Sequence, residues 1–225
     1  YTEGFLKLAF QLDLPGATEA FRRAIEIEPN HAGAYSGLSV LAIARGDFAQ
    51  AIANINRSQR IDPLSLPVMQ NKAFIHYVAD EFEQAERTVR SAIEFAGGSY
   101  PVGHYTLALT LLAQARNEEA LAAAHNEQAE SHRLAARAMV LHARGLDAEA
   151  QQVLSEFTDR FADQAANHIA YVHAVLGNGE EAVTWLHRAL EQREPNVVYA
   201  RFHPLLQSLQ GQPSYEAFLR KAGLI

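Results

Sequence analysis

Apolar and small residues return every three or four positions along most of this chain, with polar residues between them. That period marks amphipathic α-helices, because 3.6 residues per turn gather such positions onto one face. In "FAQAIANINRSQRIDP", Phe48, Ala51, Ile52, Ile55 and Ser58 form one such stripe. The design recurs in "ATEAFRRAIEIEP", "FEQAERTVRSAIEFAG", "NEEALAAAHNEQAE", "DAEAQQVLSEFTDRFAD" and "GEEAVTWLHRALEQREP". Each carries a small residue early, at Ala17, Ala51, Ala85, Ala120, Ala150 and Ala182, with intervals of 34, 34, 35, 30 and 32 residues.

A partner helix is expected before most of these. Ala34 to Ala44 sets Tyr35, Leu38, Leu41 and Ala42 at helical spacing, and Leu66 to Ala79, Pro101 to Gln114, Ser131 to Ala143 and Gln164 to Leu176 read the same way. Short elbows join the pairs: "RGD", "ADE", "ARN", "RGLD" and "GNGE". Pro29, Pro63 and Pro195 end second helices, since proline offers no N–H to the next turn. One helical hairpin cannot cover both of its apolar faces. Stacked hairpins can, which predicts a solenoid with close helix contacts at its alanines.

These anchors resemble the tetratricopeptide repeat (TPR), a 34-residue pair of antiparallel helices. Tyr35, Leu38, Ser39, Gly46, Phe48, Ala51, Ile55, Ser58 and Pro63 match its pattern best. Ala17, Phe21, Ala24 and Pro29 match as a preceding half-repeat, and Ile169, Ala170, Ala182, Leu186 and Ala189 as a later one. The resemblance implies an all-α fold, a right-handed alpha-alpha superhelix of stacked antiparallel helix pairs. It divides one domain, 1–225, into an incomplete or divergent first repeat (1–31), five TPR-like pairs (32–195) and a C-terminal turn with a capping helix (196–225). The third and fourth complete repeats lack the terminal proline, and the fourth is short.

The C-terminal stretch, through Trp185, Leu186, Ala189, Pro204, Leu205, Pro213, Phe218, Leu219 and Leu224, resembles a segment that follows repeats in bacterial multidomain signalling proteins. Those include adenylate/guanylate cyclases, winged-helix transcriptional regulators and serine/threonine kinases. The resemblance implies a cytoplasmic protein-binding or regulatory module of a larger protein, with a ligand-sensing domain of a cyclase or regulator as the alternative. The repeat pattern is already running at Tyr1, as expected of a piece of a longer chain.

The family's usual concave-groove positions fall on Val40, Ile43, Phe74, Tyr77, Val78, Tyr105, Leu109, Leu112, Met139, His142, Asn167, Tyr171 and Val175. Tyrosines join apolar area to a hydrogen-bonding tip, which suits an extended peptide or a partner helix. Two other readings stand beside that one: self-packing or coverage by the C-terminal cap, and a small ligand.

Composition narrows the chemistry. The chain has 225 residues, is 48% hydrophobic and contains no cysteine, so disulfides, thiolate metal sites and thiol nucleophiles are out of reach. The net charge of −7 argues against nucleic-acid or anionic-membrane binding by this domain, and no apolar run is long enough to span a bilayer. The ten histidines lack metal-ligand spacing: His168 and His173 stand five apart, and His104, His125, His132 and His142 form no compact set. Glu118-Glu119 and Glu180-Glu181 open second helices, where carboxylates meet free backbone donors. "GNGEEA" lacks the residues of a P-loop, and "GLSVL" lacks the second glycine of a nucleophile elbow. Arg45-Gly46-Asp47 spells an adhesion tripeptide but falls at an elbow, with Gly46 suited to the turn and Asp47 to an N-cap. The expectation is a protein or peptide partner and no catalytic centre, metal or cofactor, with self-association open.

Overall fold

The computed structural model describes all of residues 1–225, and every regular element is helical. Helix α1 (Thr2–Leu6) runs on through a π turn (Lys7–Gln11) and pairs with α2 (Leu14–Ile27). Five further antiparallel pairs follow: α3 (Ala32–Ala44) with α4 (Phe48–Ile61), α5 (Leu66–Val78) with α6 (Phe82–Phe95), and α7 (Gly103–Ala113) with α8 (Asn117–Asn126). The last two are α9 (Glu130–Ala143) with α10 (Asp147–Phe161), and α11 (Ala166–Val175) with α12 (Gly179–Glu191). Two 3-10 stretches (Pro195–Phe202 and Pro204–Leu209) and α13 (Pro213–Lys221) complete the chain. The architecture is an α-solenoid of stacked helix pairs.

The elbows obey one backbone rule. One residue in each adopts the left-handed region: Leu12 (φ 51°), Gly46 (76°), Asp80 (59°), Ala115 (56°), Gly145 (75°) and Gly177 (81°). In the last five, the next residue's N–H donates to the carbonyl five positions back. Asp47 reaches Ala42 at 2.9 Å, Arg116 reaches Leu111 at 2.9 Å and Leu146 reaches Leu141 at 3.0 Å. This is the Schellman ending, which satisfies carbonyls that a helix end would leave free. At the Arg45-Gly46-Asp47 elbow all three residues have work inside the fold. Arg45 Nη2 donates to Thr18 Oγ1 (2.6 Å), and Asp47 Oδ1 accepts the Gln50 N–H (3.0 Å). A Cβ on Gly46 would lie 2.7 Å from the Phe202 ring.

First and second helices play unequal parts. α6 buries one stripe, Ala85, Val89 and Ala92, in fourteen residues, whereas α7 buries eight of eleven and α11 eight of ten. The first helices are therefore sandwiched, and the second helices form the outer layer. Ala17, Ala51, Ala85, Ala120, Ala150 and Ala182 are all fully buried, with Phe21 at 1% exposure and Ala24 at 8%. Tyr35, Leu38, Gly46 and Phe48 are half-buried, and Pro29 and Pro63 lie exposed beyond the ends of α2 and α4.

Two buried or half-buried carboxylates hold first helices at their N-termini. Glu127 accepts from the N–H groups of Val102 (3.0 Å), Tyr105 (2.8 Å) and Ala129 (2.9 Å). Glu194 accepts from Ala166 (2.7 Å) and Asn167 (3.1 Å). Each lies just beyond the second helix of a pair and closes the first helix of the same pair. Each thus satisfies donors that would otherwise be orphaned.

After α12 the chain turns inward. Pro195–Phe202 packs on α3 and on the π turn of the first hairpin, and Pro204–Leu209 packs on α11. Val198 joins the buried cluster of Leu8, Phe21 and Leu41, while Val197, Ala200, Leu206 and Leu209 join that of Leu186, Tyr215 and Phe218. The Tyr215 hydroxyl donates to the Ala200 carbonyl and ties α13 to this stretch.

Ala85→Leu is expected to destabilise by about 1–3 kcal/mol through overpacking. Ala49→Leu, on the exposed side of α4, should stay within about 0.5 kcal/mol of the parent; equal melting shifts would refute the register. Exposed Ala115 sits at φ 56°, so Ala115→Gly should raise stability by about 1 kcal/mol in urea melts.

Candidate functional site

The inner face of the first helices is repeated in register. Counting back from each left-handed elbow residue, Phe74, Leu109, Met139 and Tyr171 stand six positions before it. Gln70, Tyr105 and Asn167 stand ten before, and Asn71, Thr106 and His168 nine before. Within each first helix, the position six before the elbow lies about one helical turn from the other two. Residues 195–209, the crossing segment, pack on this register at Phe74 and Tyr171.

Tyr199 and His203 are the centre of the crossing. The His203 ring stacks on Tyr171 (centroids 4.1 Å apart, planes at 25°) and meets Tyr77 at 6.1 Å and Phe74 at 5.7 Å. Tyr199 meets the Phe74 ring edge-on at 4.7 Å, and Phe202 meets Phe48 edge-on at 5.7 Å. Next to them, His132 of α9 and His168 of α11 lie 4.5 Å apart, with Tyr105 at 5.0 Å from one and 5.5 Å from the other. Tilted and edge-on contacts of this kind add to the area that the rings bury.

The thirteen groove positions therefore divide. Phe74, Tyr77, Tyr105, Asn167 and Tyr171 gather around the crossing, where Asn167 Nδ2 donates to the Tyr171 hydroxyl (2.7 Å). Val40 lines a neighbouring recess with Tyr1, Phe5 and Tyr199. Ile43, Val78, Leu109 and Met139 are buried in the main core, on which half-buried Leu112 and Val175 pack. Half-buried His142 faces Asp147 across the α9–α10 elbow, with Nδ1 2.7 Å from Oδ1. Tyr77, Tyr105 and Tyr171 are 1%, 5% and 2% exposed, so alanine at any of them would open a cavity in the fold.

Burial sets the protonation of the cluster. It lowers the pKa of His132, takes that of His168 well below the usual imidazole range with help from the neighbouring His132 and His203, and brings His203 to about 3. The hydrogen bonding of His203 agrees, since its Nδ1 accepts the Leu205 N–H (3.2 Å) and so carries no proton. Burial also raises the pKa of Tyr77, Tyr105, Tyr171 and Tyr199, leaving uncharged phenols.

A cavity of about 150 Å³ lies between the first helices and the crossing segment, lined by Gln70, Asn71, Phe74, Val102, Tyr105, Thr106, His132, His168, Tyr171, Asn196, Tyr199 and His203. A second recess of about 170 Å³ shares Asn71, Asn196 and Tyr199 with it and opens toward Tyr1 and Phe5. Gln70 Nε2 donates to Thr106 Oγ1 (2.6 Å), but Gln70 Oε1 and the Tyr105 hydroxyl have no protein partner. No group of three or more His, Cys, Asp or Glu side chains is placed to hold a metal ion.

Sequence reasoning did not select Gln70, Asn71, His132, His168, Asn196, Tyr199 or His203 for this site. The inner-face register could have supplied Gln70, Asn71 and His168, which share positions with Tyr105, Asn167 and Thr106. Nothing periodic points to Tyr199 and His203, which lie beyond the repeats.

Because the folded pKa of His203 is depressed, the unfolded chain binds more protons between about pH 6.5 and 3, and stability falls as pH drops through that window. The slope is about 1.4 kcal/mol per pH unit for each such imidazole. His203→Asn keeps an acceptor for the Leu205 N–H and removes the titration. Urea melts from pH 7.5 to 4.5 should show a shallower loss for this variant than for the parent, and identical slopes would exclude His203 as a contributor.

No protein-family model matches the sequence, and no curated protein matches it significantly. Solved structures do share its architecture. MamA protein is similar at 18% identity and a TM-score of 0.54, over 73% of this chain and 91% of that one. Pseudomonas aeruginosa pilF aligns at 17% identity with a TM-score of 0.60, over 97% and 93%. A chain of the APC/C hetero-tetramer Cut9-Hcn1 gives 14% and 0.60, over 93% of this chain and 39% of that one. At such identities the likeness is one of fold, and the fold is a TPR-like α-solenoid of stacked antiparallel helix pairs.

Proposed function

We propose that this chain is a noncatalytic protein-interaction module whose inner face binds a short segment carrying aromatic side chains. One observation supports this most directly: the inner face already holds such a segment from its own chain. Residues 195–209 enter as 3-10 turns rather than as another helix pair, and present Tyr199 and His203 to rings from α5 and α11. A partner segment with similar side chains would use the same contacts, and residues 195–209 would be the resident competitor. The resemblance of the C-terminal stretch to bacterial signalling proteins supports a regulatory setting, in a cytoplasmic cyclase, transcription regulator or kinase. The net charge of −7 weighs against nucleic acid and anionic membranes as partners.

The test supplies the segment in trans. A labelled peptide of residues 194–209 should bind saturably to the Tyr199→Ala/His203→Ala chain in fluorescence anisotropy. It should bind the parent at least about tenfold more weakly, because a tethered competitor acts at millimolar effective concentration. A peptide with serine at both positions should not bind. If the double variant keeps its circular dichroism yet ignores the peptide, or binds both peptides alike, the reading fails. Should the double variant lose its fold, Tyr199→Ala alone takes its place.

A further inference from the structure

We propose that the recess beside Asn196 is a subsite for one bulky apolar side chain, leucine or phenylalanine, carried by the partner segment at the position that Asn196 holds in the resident one. The inference rests on the segment-binding reading of the inner face and gives that reading a specificity.

Size and wall chemistry agree on this class. The recess measures about 170 Å³, and an apolar cavity of about 150 Å³ already takes up benzene, the ring of a phenylalanine. Buried Leu8, Phe21 and Val40 line it, and Tyr1 and Phe5 line it while remaining 47% exposed. No charged side chain faces it. Two of its polar side chains satisfy one another, since Asn71 Nδ2 donates to Ser36 Oγ at 2.9 Å. Such walls favour apolar contact and offer an ionised group no counter-charge. The sequence of α3 sets their shape. A Cβ on Gly33 would lie 2.8 Å from the Tyr1 ring, and one on Gly37 would collide with the Phe21 ring. Both rings therefore rest against α3 backbone that only glycine leaves open.

The recess is continuous with the contact that the crossing segment already makes. Pro195, Asn196, Val198 and Tyr199 form its remaining side, and Asn196 also lines the ring-walled cavity, so it stands between the two spaces. A segment laid along the same path brings its own residue at that position to the opening. The resident chain puts an amide there and leaves much of Tyr1 and Phe5 in water. A partner with leucine or phenylalanine at this position would cover that apolar area. Burying one such side chain favours binding by about tenfold to a hundredfold. That difference is what an untethered segment needs in order to compete with a tethered one.

The experiment titrates the Tyr199→Ala/His203→Ala chain, or Tyr199→Ala alone if the double variant loses its fold, with labelled peptides of residues 194–209. The Asn196→Leu peptide should bind about tenfold or more tightly than the parent peptide. The Asn196→Gln peptide, of similar bulk but polar, should not. Adding Phe5→Ala to the host removes an exposed part of the wall. It should leave the parent peptide's affinity within about twofold and reduce the advantage of the Asn196→Leu peptide. In the otherwise unaltered full chain, Asn196→Leu fills the recess from the resident segment and should raise the melting temperature by about 3 °C or more. The proposal is overturned if the Asn196→Leu peptide binds no tighter than the parent peptide, or if Asn196→Gln gains as much. It is equally overturned if Phe5→Ala leaves the advantage whole, or if the melting temperature does not rise. In each of those cases saturable binding of the parent peptide still upholds the segment-binding reading; if no peptide binds, both fall.

Discussion

The first helices are apolar on more sides than their partners can cover. α7 and α11 bury most of their circumference, yet each second helix reaches only one flank, and neighbouring pairs reach two more. A fourth side remains, carrying Phe74, Tyr77, Tyr105 and Tyr171. Burying a large aromatic side chain is worth roughly 1.5–3 kcal/mol, so leaving these rings in water would forfeit a large part of a domain's net stability. The crossing segment answers that constraint. Its two 3-10 stretches each open on a proline, Pro195 and Pro204, which fixes φ near the helical range and offers no N–H.

Filling the interior this way fixes its electrostatic character. No lysine, arginine or acidic side chain enters the ring cluster, and the groups that could ionise there are imidazoles and phenols. Burial holds the imidazoles unprotonated and the phenols protonated. The interior is polar in its hydrogen bonds and neutral in its charge. Glu127 and Glu194 lie at helix N-termini rather than among the rings, where backbone N–H groups satisfy their oxygens.

What the sequence disclosed follows from what repeats. The stripe Ala51, Ile55 and Ser58 and its equivalents recur because every second helix faces the same neighbours, so period alone locates them. The elbow is legible for a related reason. A left-handed residue is needed at one position per pair, and Gly46, Gly145 and Gly177 show it openly where Asp80 and Ala115 conceal it. His132 and His168 meet across the first helices of neighbouring pairs, and Tyr171 meets His203 because the segment after α12 folds back onto α11. No local spacing encodes either contact. The role of Glu127 was equally hidden, since a buried carboxylate after a short helix reads as an ordinary polar residue until the α7 N-terminus is seen beside it.

A stack of hairpins is mechanically a spring, with each coil touching only the next, so its ends fray and melt without consulting one another. Here one strip of chain touches the first hairpin through Val198 and the last through Val197 and Ala200. That strip turns the spring into a clasped bracelet. Residues nearly two hundred positions apart now share a boundary, which raises the contact order and slows closure of the fold. In return, neither end can open without straining the other, so local fraying becomes a cooperative event involving the whole chain.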